Sequence, residues 1–83
     1  LLKLLANERR LLILCTLAAT GESSVGALAD GVNLSQSALS QHLAKLREDG
    51  IVATRREAQA VFYRIADRKV ARLLTLLKDI YCR

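Results

Sequence analysis

Residues 34–50, LSQSALSQHLAKLREDG, combine one apolar helical stripe with an exposed face of short hydrogen-bonding side chains. Ser fills positions at which Glu or Lys would be a better helix former. Gln can bond to adenine through two hydrogen bonds, and Ser can bond to several base edges or to phosphate. Acids, which phosphate would repel, come only at Glu48 and Asp49. This face therefore suits a nucleic-acid partner, although a merely solvated helix face has a similar composition.

Three arginines, Arg55, Arg56 and Arg64, flank a second polar segment, EAQ at 57–59. At the tip of a hairpin, such cations would contact the DNA backbone or the minor groove. Basic residues on a hairpin also protect an exposed edge strand from aggregation, which is the alternative interpretation. The net charge of +5 and the pI near 9.8 favour a polyanionic partner.

Two thiols are the other reactive groups. Cys15 lies within the apolar run LLILCTL, where a cysteine most often behaves as a small buried hydrophobe. Cys82 is the penultimate residue; Lys78 and Arg83 favour its thiolate, whereas the end of a helix opposes it. Two widely separated cysteines do not form a secreted disulfide scaffold, so we expect a cytosolic protein with reduced thiols.

Three helices are predicted in the part of the chain that precedes residue 33. Residues 1–6 resemble the remnant of a helix, and the first residue, Leu rather than Met, suggests a trimmed chain. A second helix covers residues 8–19 between an Asn7 cap and Gly21; it is apolar on all sides and so should be central and buried. Ser24 caps a short third helix, VGALADG.

A tight turn at Asn33, which tolerates a left-handed backbone, leads into a fourth helix over about residues 35–49. Ser35 is its cap, Gly50 is its C-terminal stop, and three leucines spaced four and three apart form its apolar stripe. Two helices joined by a tight turn make a helix-turn-helix, whose second helix enters the major groove.

The periodicity then changes to that of strands. IVATRR and AVFYRI, on either side of EAQ, predict a two-stranded wing over about residues 51–65. A last helix runs from an Asp67 cap to about Cys82. The expected fold is mostly α with a small β-hairpin (α+β), a winged helix-turn-helix of order α-α-α-α-β-β-α in one domain, 1–83. Because 52% of the residues are hydrophobic, we expect a homodimer formed by residues 1–6 and 67–82.

The predicted DNA contacts combine the polar helix face with the wing. They are Ser35, Gln36, Ser37, Ser40, Gln41, His42, Lys45, Arg55, Arg56 and Arg64. For His42, a structural role or a phosphate contact fits better than base recognition. No nucleophile lies beside a base and no Gly-rich phosphate loop is present, so we expect neither an enzyme nor a cofactor. No apolar run approaches the ~20 residues that span a bilayer.

These segments resemble the ArsR/SmtB family of winged-helix bacterial repressors. The resemblance lies in NERRLLIL (7–14), SVGALADGVNLSQSALSQHLAKLREDGIV (24–52) and RREAQAVFYRIAD (55–67). It implies a homodimer that binds operator DNA and releases it when an inducer arrives. Many family members have Gly at the wing tip, where this chain has Glu57-Ala58-Gln59. Metal-sensing members carry Cys near the recognition helix or a carboxylate/His cluster on the last helix; with neither here, we expect no metal site.

Cys15 and the terminal IYCR resemble the dithiol branch, the BigR- and SqrR-like sensors of sulfide and persulfide. The resemblance implies a repressor that binds DNA when reduced. It would release DNA when both cysteines react with reactive sulfur species, through a disulfide or polysulfide link. Alternatives are a peroxide-responsive, HlyU-like regulator and, less well supported, a metal sensor. From other classes, a protein-interaction module and a thiol enzyme such as a persulfide transferase remain open.

Overall fold

A computed structural model describes the backbone of residues 7–81 and the side chains of residues 7–77. The elements of this part of the chain follow in the order α1 (Glu8–Thr20), β1 (Ser23–Ser24), α2 (Val25–Val32), α3 (Gln36–Glu48), β2 (Val52–Glu57), β3 (Ala60–Ile65) and α4 (Arg68–Tyr81). The prediction of a mostly helical winged fold is confirmed. The helix predicted over residues 1–6 lies outside the described residues.

Each of the four described helices begins at the N-cap that the sequence predicted. A side-chain oxygen of each cap accepts a hydrogen bond from a backbone N–H of the first turn, at donor–acceptor distances of 3.0–3.3 Å. The caps are Asn7, Ser24, Ser35 and Asp67. Each such cap is worth about 1 kcal/mol, because it satisfies a donor that the helix itself leaves unpaired.

The turn of the helix-turn-helix is short and sharply defined. Asn33 ends α2 in the left-handed conformation, with φ 55° and ψ 47°, as predicted. The Leu34 N–H donates to the Ala29 carbonyl at 3.2 Å, which closes the end of α2. Ser35 follows at once as the cap of α3. Three residues therefore set the angle between α2 and α3.

The sheet has three antiparallel strands in the order β1-β3-β2. The predicted hairpin is present, with Val52 opposite Ile65 and Glu57 opposite Ala60. The strand β1, which was not predicted, pairs with the outer edge of β3 through Ser23 and Ser24. Two serines carry no alternating pattern, so the pairing becomes visible only when the fold brings them to β3.

A single core joins the helices to the base of the wing. The buried apolar residues come from α1, α2, α3, β2 and α4, and α1 contributes the largest share, as expected of the central helix. They are Ile13, Leu14, Cys15, Leu17, Leu28, Ala29, Val32, Leu39, Leu43, Leu46, Val52, Val70 and Leu74. The wing is therefore anchored at its base and extends into solvent at its tip.

At the wing tip, Ala58 adopts φ 55°, whereas Gln59 does not have a positive φ. A positive φ at the first central residue only is the pattern of a II′ turn, which prefers Gly there. A left-handed backbone costs an L-residue about 1–2 kcal/mol, and Gly costs about 0.5–1 kcal/mol of chain entropy. We expect Ala58→Gly to raise the free energy of unfolding by about 0.5–1 kcal/mol in urea titrations.

Gln59→Gly is the matched control for this turn. It adds the same flexibility without relieving a positive φ, so it should lower the free energy of unfolding by about 0.5–1 kcal/mol. A gain in stability from Gln59→Gly, or a loss from Ala58→Gly, would show that the turn has a different conformation.

Candidate nucleic-acid interface

Helix α3 separates its side chains into two faces. Leu39, Leu43 and Leu46 are fully buried against the core. Because an α-helix turns by 100° per residue, residues 37, 41, 44 and 48 lie on the opposite side. Of the predicted contacts on and before this helix, six are exposed and one, His42, is half-buried. The exposed ones are Ser35, Gln36, Ser37, Ser40, Gln41 and Lys45.

The N-terminal end of α3 carries no acid in its first turn. The partial positive charge of the helix N-terminus is therefore not offset by a side-chain carboxylate, which suits the approach of a phosphate. At the other end, Lys45 Nζ lies 3.6 Å from Asp49 Oδ1, with both side chains about half exposed. An exposed pair of this kind is weak, so Lys45 keeps access to an external anion.

The strand register divides the wing into two faces. Thr54 lies opposite Tyr63, and Arg56 lies opposite Val61, so these side chains share the face that continues into the core at Val52. Arg56 is exposed, and among the side chains that the structure describes it takes part in no ion pair.

The second wing face carries Arg55, Glu57, Phe62 and Arg64. Arg64 is exposed. Arg55 is also partly exposed, but its guanidinium is engaged by two carboxylates, at 2.6 Å from Glu22 and 2.6 Å from Glu57. The three predicted wing cations therefore lie on two faces, and only Arg56 shares the core-facing side of the sheet.

Glu22 was not among the predicted functional residues. Hydrogen bonds from Arg55 lower the pKa of the Glu22 carboxyl from its ordinary value; desolvation opposes this shift, and the charges of Arg55 and Arg64 add to it. Hydrogen bonds to Glu22 and Glu57 raise the pKa of the Arg55 guanidinium. Nothing in the sequence links positions 22 and 55, because their contact depends on how β1 and β2 are placed around β3.

A cleft of about 460 Å³ lies between α3 and the wing. Its lining residues are Ser40, Ala44, Arg47, Glu48 and Tyr63. Tyr63 and Arg47 were not predicted as functional residues, although the alternation in AVFYRI could have placed Tyr63 on the inner face of the wing. The cleft shows that the core-facing side of the wing looks toward the polar side of α3.

The structure describes only one of the two predicted sensor cysteines. Cys15 lies in α1 and is buried, with 3% of its surface exposed, whereas Cys82 lies outside the described residues. Over the part of the chain that the structure describes, no group of three or more His, Cys, Asp or Glu side chains could hold a metal ion. None of the helices described here has the length and apolar character of a membrane-spanning segment.

Residues 7–54 match the family model described as "Bacterial regulatory protein, arsR family". Over 83 residues the chain is 57% identical to "Transcriptional activator HlyU" of Vibrio cholerae, covering all of this chain and 76% of that protein. It is 54% identical over 82 residues to "Biofilm growth-associated repressor" of Agrobacterium fabrum, covering 99% of this chain and 69% of that one.

Solved structures are similar over nearly the whole chain. One, described as "Reduced HlyU from Vibrio cholerae N16961", superposes with a TM-score of 0.88 at 56% identity, covering 99% of this chain and 85% of that one. A solution structure from Mycobacterium bovis, described as a "homodimeric winged helix-turn-helix DNA-binding domain", gives a TM-score of 0.80 at 42% identity. It covers 94% of this chain and 71% of that one.

Proposed function

This chain belongs to the ArsR family of bacterial regulatory proteins, and on that premise we propose that it is a homodimeric repressor of operator DNA. Like its relatives, it is a regulator and not an enzyme. The observation that carries the proposal is the exposed Ser/Gln face of α3, which lies opposite three fully buried leucines. A regulator of this kind would work on DNA in the bacterial cytoplasm.

In the proposed complex, α3 lies in the major groove and the wing follows the adjacent backbone. Base edges would be contacted from the middle of the exposed face, by Ser37 and Gln41. Phosphates would be contacted around it. The proposed phosphate contacts are Ser35, Gln36, Ser40, His42, Lys45, Arg56 and Arg64. The absence of acids from the first turn of α3 supports this arrangement, because DNA presents a negative surface on both sides of the groove.

A dimer would place two copies of α3 in successive major grooves, about 34 Å apart. Apolar exposure supports this state: Leu12 on α1 and Leu76 on α4 are 43% and 77% exposed. These two helices pack against each other in the described chain, so they form one unit on which a partner subunit could rest. The proposed contribution of residues 1–6 lies outside the described residues.

Gln41→Ala should weaken binding to the preferred operator by about 1–3 kcal/mol, or roughly 5- to 150-fold, through one base pair. The reason is that a two-hydrogen-bond contact to one base would be lost, while phosphate contacts remain. The preferred operator can be selected from random duplexes, and each base pair can then be varied in fluorescence anisotropy titrations.

Gln59→Ala is the control for this experiment, since it makes the same chemical change at the wing tip. It should leave the base preference unaltered at every position. A loss of affinity that is equal on all sequences, or no loss at all, would contradict the proposal that Gln41 reads a base.

The inducer response is the finer part of the proposal. We propose that the reduced protein binds DNA and that Cys15 and Cys82 react with reactive sulfur species to release it. An organic persulfide would give its outer sulfur to one thiolate and leave as the corresponding thiol. The second thiolate would then attack the modified cysteine and expel hydrosulfide, leaving a protein disulfide. In this reaction two protein thiols are oxidised by two electrons, and the persulfide is reduced to a thiol and hydrogen sulfide.

The position of Cys15 supports this mechanism. It is buried in α1, the helix that packs on α4, and Cys82 directly follows the last residue of α4. A covalent link between these helices would move the surfaces proposed for dimerisation, and hence the spacing of the two α3 helices. The description of a similar regulator as "Reduced HlyU" is in keeping with a regulator that has more than one redox state.

A further inference from the structure

Arg55 uses its hydrogen-bond donors within the protein. Its Nε lies 3.1 and 3.2 Å from the two carboxylate oxygens of Glu22, and its Nη2 lies 2.6 Å from Oε1 of the same group. Its Nη1 donates to Glu57 Oε2 at 2.6 Å. The guanidinium carbon lies 4.8 Å from the ring centre of Phe62, its direct partner across the hairpin. Each nitrogen of the guanidinium is thus engaged.

The charge balance of this cluster gives it no net attraction for DNA. One guanidinium faces two carboxylates, so Glu22, Arg55 and Glu57 together carry a net negative charge, and Arg64 on the same face brings the sum only to zero. Arg56 differs, because it lies on the other face of the wing, on the side that looks toward α3. A phosphate near the wing would therefore be attracted by Arg56 and not by Arg55.

The Glu22–Arg55 pair joins two strands that do not touch. In the sheet order β1-β3-β2, Arg55 stands on one edge strand and Glu22 directly precedes the other. The pair crosses the central strand beside Phe62. Glu22 is also two residues before Ser24, the cap of α2. The wing is thereby fastened to the segment that enters the helix-turn-helix.

We propose that Arg55 is a positioning residue for DNA binding: through Glu22 it fixes the wing relative to the helix-turn-helix, so that Arg56 and α3 reach the same duplex. This differs from the direct contact that the sequence suggested for Arg55, and it rests on the proposed binding of operator DNA. The bidentate geometry is essential, since an exposed single-contact ion pair would hold the wing only weakly.

The test measures operator affinity of the dimer against salt concentration for Arg55→Gln, Arg55→Lys, Glu22→Gln and the double Gln variant. Each single variant should weaken binding on the order of 10-fold, and the double variant should be no weaker than either single one, because the residues act as a pair. The slope of log affinity against log salt should stay at the parent value. Arg56→Gln should instead reduce the magnitude of that slope by about one.

The alternative of a phosphate contact predicts opposite results. Glu22→Gln would free Arg55 and strengthen binding, Arg55→Lys would keep most of the affinity, and Arg55→Gln would reduce the slope. Any of these would overturn the positioning role. Circular dichroism at the assay temperature checks that each variant is folded. If Arg55→Gln unfolds, the affinities of Arg55→Lys and Glu22→Gln still distinguish the positioning role from a phosphate contact. If the parent protein shows no salt-dependent binding to DNA, the proposed function itself fails, which is a distinct outcome.

Discussion

Leu43→Ala should lower the free energy of unfolding by about 2–5 kcal/mol, the usual cost of emptying a buried leucine site. Leu43 is fully buried at the middle of the inner face of α3, between Leu39 and Leu46. Small domains are stable by only about 5–15 kcal/mol, so this one change removes a large fraction of the total. Urea titrations followed by circular dichroism give the value directly.

Leu76→Ala makes the same chemical change at a site that is 77% exposed. It should leave the helix content unchanged and instead raise the dimer dissociation constant in sedimentation experiments, because we propose that a partner subunit covers this surface. Equal losses of stability from the two variants would mean that α3 does not pack on the core as described.

Treatment of the reduced dimer with an organic persulfide should weaken its affinity for operator DNA by roughly 5- to 150-fold, the range of ordinary allosteric coupling. The physical reason is that linking α1 to the end of α4 changes the geometry of the dimer. Cys82→Ser should bind DNA as the reduced parent does and should no longer respond. Anisotropy titrations before and after treatment measure both effects.

Cys15→Ser tests the other thiol. It should also lose the response, and its free energy of unfolding should fall, because a hydroxyl replaces a sulfur in a buried apolar site. Mass spectrometry after persulfide treatment and after peroxide treatment shows which of the two reagents yields the linked product. That reagent indicates the class of inducer to which the protein responds. If both Ser variants were released from operator DNA as readily as the parent, the thiols would be structural and the inducer would act at another site.

The local features of the fold were within reach of the sequence because local chemistry determines them. Asn7, Ser24, Ser35 and Asp67 each cap the helix that follows them within three residues. Asn33 adopts the left-handed conformation that its side chain tolerates. The leucines of α3 lie on one face because their spacing matches the helical repeat. The exposed polar face of α3 follows from the same periodicity.

The features that the sequence missed depend on contacts between distant segments. Ser23 and Ser24 form a strand only because the outer edge of β3 lies beside them. Arg55 pairs with Glu22, thirty-three positions away, only because β3 holds β2 at one of its edges and the start of β1 at the other. A sequence shows that both residues are charged, but the choice between an external phosphate and an internal carboxylate depends on their three-dimensional arrangement.

The two-faced construction of α3 has a consequence for how such regulators diversify. Its outward positions, 37, 41, 44 and 48, are exposed, whereas its leucines on the opposite face are buried, and its angle to α2 is set by the turn residues 33–35, which precede the helix. New operator preferences can therefore arise by exchanging outward side chains one at a time, with the scaffold unchanged. The same separation makes α3 a suitable segment for engineering, in which the outer face of another regulator is grafted onto this domain.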